Sequence, residues 1–324
     1  MEKTLKTAGE FALIEKIKKD FARLQTGQNV SVGIGDDCFC FKTGGQTLCV
    51  TKDMLIEDVH FKKEWISPQD LGKKAMEVNV SDIASMGNVK PEYVFIGLGA
   101  PADTPLKYVE RFYEGIKSVC LKYSVLLSGG DTVKSDKIVI SVTLIGKACG
   151  KIITRNGAKN GDLIGVTNTF GDAGAGVELL YKHGAKYKYL KEEKYLISKQ
   201  NKPEARLLQA RIISEFATSM TDASDGLFIS VSLLAKGADL FCEKIPVSKE
   251  LLKVAGGRQK SLEYALFGSE DYELVFTVPQ KRAAKLKKLL PEISYIGCVN
   301  SSKKVRYFYD GKEQKTVYRG YKHF

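Results

Sequence analysis

Aspartates recur at the ends of apolar stretches: Asp36 and Asp37 in VGIGDDC, Asp53 in VTKDM, Asp131 in SGGDT, Asp222 and Asp225 in TDASDG. Each is expected at a turn. A single Asp beside Gly is ordinary turn chemistry, because Gly supplies unusual backbone angles and Asp caps helices. The number of such pairs asks for more. Carboxylates gathered in one place repel one another unless divalent cations lie among them, and hard cations with oxygen ligands point first to magnesium, which shares its ligands with substrate phosphates. The Gly-rich turns GIGDD, SGGDT and SDG would let backbone N–H groups approach phosphate oxygens, and SDGL opens a helix whose N-terminus favours anions. Acids for metal and amides for phosphate describe a nucleotide site. Neither a G-x-x-x-x-G-K-[ST] loop nor the protein-kinase motif set is present, so the standard ATP folds do not account for it.

Asp82 belongs to a different class because it lies inside a helical segment, DLGKKAMEVNVSDIASMG. At about 100° per residue, Leu71, Ala75 and Val78 define the apolar stripe, and Asp82 projects at about 20°, between Leu71 and Ala75. It is expected to point inward. A buried carboxylate costs several kcal/mol unless it is compensated, so a basic side chain, a helix N-terminus or a metal ion must face it. An internal salt bridge and a metal site are both open on this reasoning.

The elements that must position these groups alternate. Strand-like runs at Thr47–Thr51 and Tyr93–Leu98 flank a helix over Asp70–Met86; a second helix, Leu106–Tyr123, leads into Val125–Leu127 and, after SGGDT, into the apolar strand Ile138–Ile145. This is α/β or α+β in character. The Gly- and Lys-rich text from Cys149 to Gly161 precedes a new strand at Leu163–Val166, which places a boundary near residue 149: an N-terminal domain over 1–148 and a C-terminal domain over 149–324. Two domains imply a cleft. Tyr181–Lys202 reads as an exposed helix and loop, Gln280–Leu290 as an amphipathic helix, and the apolar spacing of Phe11, Ile14, Ile17, Phe21 and Leu24 as a helix rather than a signal peptide.

Composition narrows the class. The 324 residues are 44% hydrophobic and 27% charged, without a run of about 18 apolar residues, which argues against a membrane span. Seven cysteines, an odd number without a C-x-x-C pair, read as reduced thiols and a cytoplasmic protein. The formal charge of +12 is mostly local: residues 280–324 hold twelve Lys and Arg against three Asp and Glu. A solvated helix face explains that surplus, and no recognition motif accompanies it, so no nucleic-acid partner is expected.

The residues then resemble a known family, the thiamine-monophosphate kinases, within the superfamily of aminoimidazole ribonucleotide synthetase and selenophosphate synthetase. The likeness runs nearly end to end: GEF (Gly9–Phe11), GIGDD (Gly33–Asp37), D-M-L-x-E-x-x-H-F (Asp53–Phe61), DLGKKA…N-x-SDIASMG (Asp70–Gly87), GGDT (Gly129–Thr132), TRNGAKNGD (Thr154–Asp162), GDAGAG (Gly171–Gly176), D-x-SDGL (Asp222–Leu227), EDYEL (Glu270–Leu274) and GYKHF (Gly320–Phe324). The resemblance implies a two-domain aminoimidazole ribonucleotide synthetase-like fold whose N-terminal sheet pairs with that of a second subunit in a barrel-like homodimer core. It implies transfer of the ATP γ-phosphoryl group, directly and in line, to thiamine monophosphate, giving thiamine diphosphate. Several magnesium ions would be held by Asp37, Thr51, Asp53, Asp82, Asp131, Asp222 and Asp225. Gly130, Asp131, Arg155 and Ser224 would contact ATP, with Asp131 and Arg155 catalytic, and His60, Glu270 and Tyr321 would contact the thiamine moiety.

Three positions depart from the family pattern: Lys52 replaces the usual Thr between Thr51 and Asp53, NKPEAR (Asn201–Arg206) stands where P-x-P-R follows an upstream His, and Ser269 replaces a Gly. Rival readings are a selenophosphate or purine-pathway synthetase, neither of which has the terminal GYKHF, a metal-dependent phosphohydrolase using the Asp pairs, and a catalytically silent binding protein, which Lys52 keeps open.

Overall fold

A computed structural model describes residues 4–24, 27 and 29–315. Its first sheet has six strands, β1 (Val30–Val32), β2 (Phe39–Thr43), β3 (Gln46–Ile56), β4 (Gly87–Ala100), β5 (Leu126–Lys134) and β6 (Val139–Ile152), in the order β1-β2-β3-β6-β4-β5. β4 and β5 are parallel and the other neighbours antiparallel. The second sheet has seven strands, β7 (Leu163–Val166), β8 (Ser219–Asp222), β9 (Ala238–Phe241), β10 (Leu274–Val278), β11 (Ser294–Val299), β12 (Val305–Tyr309) and β13 (Lys312–Glu313), in the order β13-β12-β9-β11-β7-β10-β8.

Two helices of 18 residues, Pro68–Ser85 and Leu106–Tyr123, cover one face of the first sheet. The first starts where the sequence dictates: the Ser67 hydroxyl accepts from the Asp70 N–H at 3.1 Å and Pro68 takes the first turn, where its missing N–H costs nothing. The two helices cross at glycines. A Cβ on Gly72 would lie 2.0 Å from the Phe112 carbonyl oxygen, and one on Gly115 would lie 2.0 Å from that of Gln69. The 68–85 helix is buried nearly all round, because its remaining side meets the second half of the chain, where Ala84 joins Ile213, Met220 and Phe276 in one apolar cluster. It is the spine between the two sheets.

Alternation along the first sheet sorts its side chains. On β3, Cys49, Thr51 and Leu55 are buried under the helices whereas Lys52 and Met54 are exposed; on β4, Val94 and Ile96 are buried and Tyr93 and Phe95 exposed. The face away from the helices is open, and the edge strand β5 is exposed along its whole length. Two expectations change here. Asp53 and Asp131 lie within strands rather than at turns, since Asp53 pairs with Val142 on β6 and Asp131 with Gly97 on β4. Tyr181–Lys202 is an exposed loop and helix as its composition suggests, with Tyr181, Tyr187 and Leu190 exposed, and the helix Lys191–Asn201 buries only Leu196 and Gln200. Among the described residues, no helix is long and apolar enough to cross a membrane.

Candidate functional site

Asp37, in the bend between β1 and β2, Asp82, on the spine helix, and Asp222, at the end of β8, converge between the two sheets, and one carboxylate oxygen of each lies within 4.8 Å of those of the others. Asp37 accepts from the Arg155 guanidinium and, at 3.1 Å, from the Thr221 hydroxyl through one oxygen; its other oxygen, Oδ2, is buried without a hydrogen-bond partner. Asp222 accepts from the Ser81 hydroxyl at 2.6 Å. Asp82 accepts from the Thr51 hydroxyl. Its partner is thus a hydroxyl rather than a cation, which favours the metal reading of this inward-facing acid over an internal salt bridge.

The crowding shows in the titration of these groups. Burial raises Asp82 well above the usual carboxylate range, and Asp53, Asp222 and Asp37 push it further. Asp222 is raised to about 8, by burial and by Asp37, with Ser81 and Arg155 opposing. Asp53 is raised to about 6 by burial, Asp37 and Asp225. Arg155 is the cation of the cluster. It donates to Asp37 and to Thr221, and its backbone N–H donates to Asp36 at 3.0 Å. A buried orphan oxygen and carboxylates that resist ionisation side by side fit a divalent cation bound by hard oxygen donors.

A pocket of about 330 Å³ opens from this cluster. Asp53, Asp82, Ser224 and Asp225 line it together with His60, Glu270 and Tyr272. The His60 ring accepts from the Ile56 N–H through Nδ1 at 3.1 Å, which assigns the proton to Nε2. Glu270 and Tyr272 hold φ of 65° and 50°, a costly conformation for residues with side chains. It is enforced by the neighbouring loop: the Glu270 N–H donates to the Ser224 carbonyl at 2.6 Å and that of Tyr272 to Ala223 at 3.0 Å. EDY and SDG are therefore one structure. Lys74, 1% exposed on the spine helix, donates to Glu270 at 3.2 Å and to the Gln200 carbonyl at 3.1 Å, and the Gln200 amide also donates to Glu270. Sequence reasoning missed Lys74, Gln200 and Ser81. For Lys74 a signal existed, since it projects about 40° from Val78 at the rim of the apolar stripe.

Asp131 and Gly130 are not in this assembly within one chain. β5 stands three strand spacings from β3, roughly 14 Å. The cross-strand row Asp131, Gly97, Ser141, Met54 also belongs to the open face, opposite Thr51 and Asp53. Gly130 has a packing reason to be Gly: a Cβ there would lie 1.9 Å from the Ile96 carbonyl oxygen. Lys52 is on the open face too, donating to the Ser141 hydroxyl at 2.6 Å, so its ammonium points away from the acids. Ser269 lines the pocket beside Glu270, and Asn201 donates to the Trp65 carbonyl at 2.7 Å. Tyr321 and the terminal GYKHF lie outside the described residues.

Residues 35–148 match the family model of the AIR synthase related protein, N-terminal domain. The chain is 38% identical to thiamine-monophosphate kinase of Aquifex aeolicus, over 99% of both chains, and 34% identical to that of Bacillus subtilis, over 97% of this chain and 99% of the other. Its structure resembles that of AaThiL complexed with AMPPCP and TMP, with a TM-score of 0.88, 37% identity and 100% of both chains covered.

Proposed function

The chain belongs to the thiamine-monophosphate kinase family, and we propose from that premise how its own residues carry out the reaction. It phosphorylates thiamine monophosphate with ATP, giving thiamine diphosphate and ADP. The observation that carries the residue assignment is the convergence of Asp37, Asp82 and Asp222, with a buried unpaired oxygen, beside a pocket that Asp82 lines together with His60 and Glu270.

Asp37, Thr51, Asp53, Asp82, Asp222 and Asp225 hold magnesium, which when bound neutralises charge on the transferred phosphoryl group and on the leaving diphosphate. The protein's part is alignment. Ser224 and the start of the 227–234 helix receive ATP phosphates, and Arg155, within reach of Asp37, balances charge between nucleotide and acceptor. The acceptor phosphate attacks the γ-phosphorus in line; with a second pKa of about 6 it is ionised near neutral pH and needs no strong base. Glu270 faces the cationic thiazolium, and His60 and Tyr321 contact the thiamine moiety.

Gly130 and Asp131 serve ATP and metal from the edge strand β5, with Asp131 on the open face, so their roles require a homodimer in which the β5 edge of one chain completes the cleft of the other. The exposed Tyr93, Phe95, Leu126, Leu127 and Val133 support such a covered surface. The division near residue 149 and a cytoplasmic location complete this reading. The test is a steady-state assay that follows thiamine diphosphate and ADP separately, with and without magnesium. Equal amounts of both products, lost when magnesium is withheld, are expected; ADP without thiamine diphosphate would point to hydrolysis.

A further inference from the structure

The pocket has an aromatic part as well as an acidic one. Trp65, on the segment between Phe61 and the spine helix, meets Tyr181 edge to face, with ring centroids 4.7 Å apart and planes at 85°. The Lys62 ammonium stands 4.7 Å from the Trp65 ring and 5.2 Å from that of Tyr181. Trp65 is fixed from behind, since its carbonyl accepts from Asn201, whereas Tyr181 remains 62% exposed although it lines the pocket. Two large rings from distant parts of the chain are thus held at the mouth without being buried in either core.

The same lining carries charge of both signs: Asp53, Asp82 and Asp225 belong to the acid cluster, Glu270 is held by Lys74, and Lys62 stands beside the two rings. Thiamine monophosphate has matching parts: an anionic phosphate, a cationic thiazolium and a neutral aminopyrimidine. Lys62 beside the rings disfavours the thiazolium there, and Glu270 favours it on its own side of the pocket. The flat neutral ring is left for the aromatic pair, where stacking and edge contacts add to burial.

We propose that Trp65 and Tyr181, steadied by Lys62, form the seat for the pyrimidine ring of the acceptor and select thiamine monophosphate over phosphates that lack this ring. The inference rests on the acceptor assigned above and deepens it.

Trp65 is the single tryptophan of the chain, so its emission reports the seat directly. Full-length protein is titrated with thiamine monophosphate without ATP, following tryptophan fluorescence and heat in parallel. A saturable emission change with the calorimetric midpoint is expected, together with weaker binding and unchanged emission for thiazole phosphate, which carries the thiazole and its phosphate without the pyrimidine. In kinetics, Trp65→Ala and Tyr181→Ala should each raise the KM for thiamine monophosphate roughly tenfold, with kcat within about twofold and Tyr181→Phe close to wild type. Both alanine variants should also lose most of the discrimination against thiazole phosphate, a loss that general loosening of the pocket would not produce. Heat of binding with no emission change, and unaltered discrimination in the variants, would overturn the seat. Absence of any heat with thiamine monophosphate would instead overturn the acceptor assignment, and the seat with it.

Discussion

The two faces of the first sheet carry the same motif to different ends. Thr51, Lys52 and Asp53 are consecutive, yet Thr51 and Asp53 turn under the spine helix toward Asp82 while Lys52 turns to the open face shared with Asp131. The covered face concentrates acids that burial keeps from ionising together. The open face exposes Met54, Tyr93 and Phe95, and its Lys52 ammonium points away from that cluster toward Ser141. Alternation at one residue per face is enough to separate the proposed metal-binding set from the proposed assembly surface.

The comparison breaks if acids of the covered face prove dispensable. Asp37→Asn and Asp222→Asn should each lower kcat roughly 10³-fold, about 4 kcal/mol of lost transition-state stabilisation. Retention of the fold by circular dichroism would assign the loss to chemistry; a loss of under tenfold would remove these acids from the metal set.

Asp131 sharpens it next. Asp131→Asn should be as inactive as Asp222→Asn if the open face of one chain completes the cleft of another. Mixing the two inactive variants under conditions of subunit exchange should then restore about a quarter of the wild-type rate, because half the dimers are mixed and each mixed dimer holds one intact site. No recovery despite verified exchange would place both acids in the same chain's site.

A smaller effect concerns pH. Asp53, raised to about 6, and Asp222, raised to about 8, bind their protons more tightly in the folded chain than in the unfolded one, where carboxylates titrate near 3.8. Their contribution to metal-free stability is therefore full below pH 4 and is lost as pH rises through about 6 and then 8. Magnesium competes with those protons, so its stabilisation should be negligible at pH 5 and reach about 4 °C in Tm at pH 8.5. A gain independent of pH would contradict the assignment. The smallest change is expected from Lys52→Thr: since its ammonium points away from the acids, kcat should stay within about threefold. A loss as large as that of Asp53→Asn would show that Lys52 acts in the site.

What the sequence disclosed follows the range of the interactions concerned. Asp82 was legible because helical periodicity is local, and 100° per residue turned it inward before any packing was known. Ser67 and Pro68 start the same helix by chemistry that is equally local, two residues before the Asp70 expected from sequence. SGGDT misled, because two glycines before an Asp look like a turn, whereas parallel pairing with β4 makes the segment a strand and the Ile96 carbonyl makes Gly130 necessary. The face to which Asp131 belongs was set by that non-local register. Trp65, Tyr181, Lys74 and Gln200 come from separate segments, and no spacing rule brings them together. They meet only because the spine helix packs against both halves of the chain.

The most direct test of the central claim counts divalent cations at the covered face: manganese binding followed by EPR in the wild type, Asp37→Asn and Asp222→Asn, each with ADP present. Tight sites in the wild type, weakened at least about a hundredfold in both variants, are predicted. Manganese affinity unchanged in both would contradict a metal-binding role for the convergence of Asp37, Asp82 and Asp222.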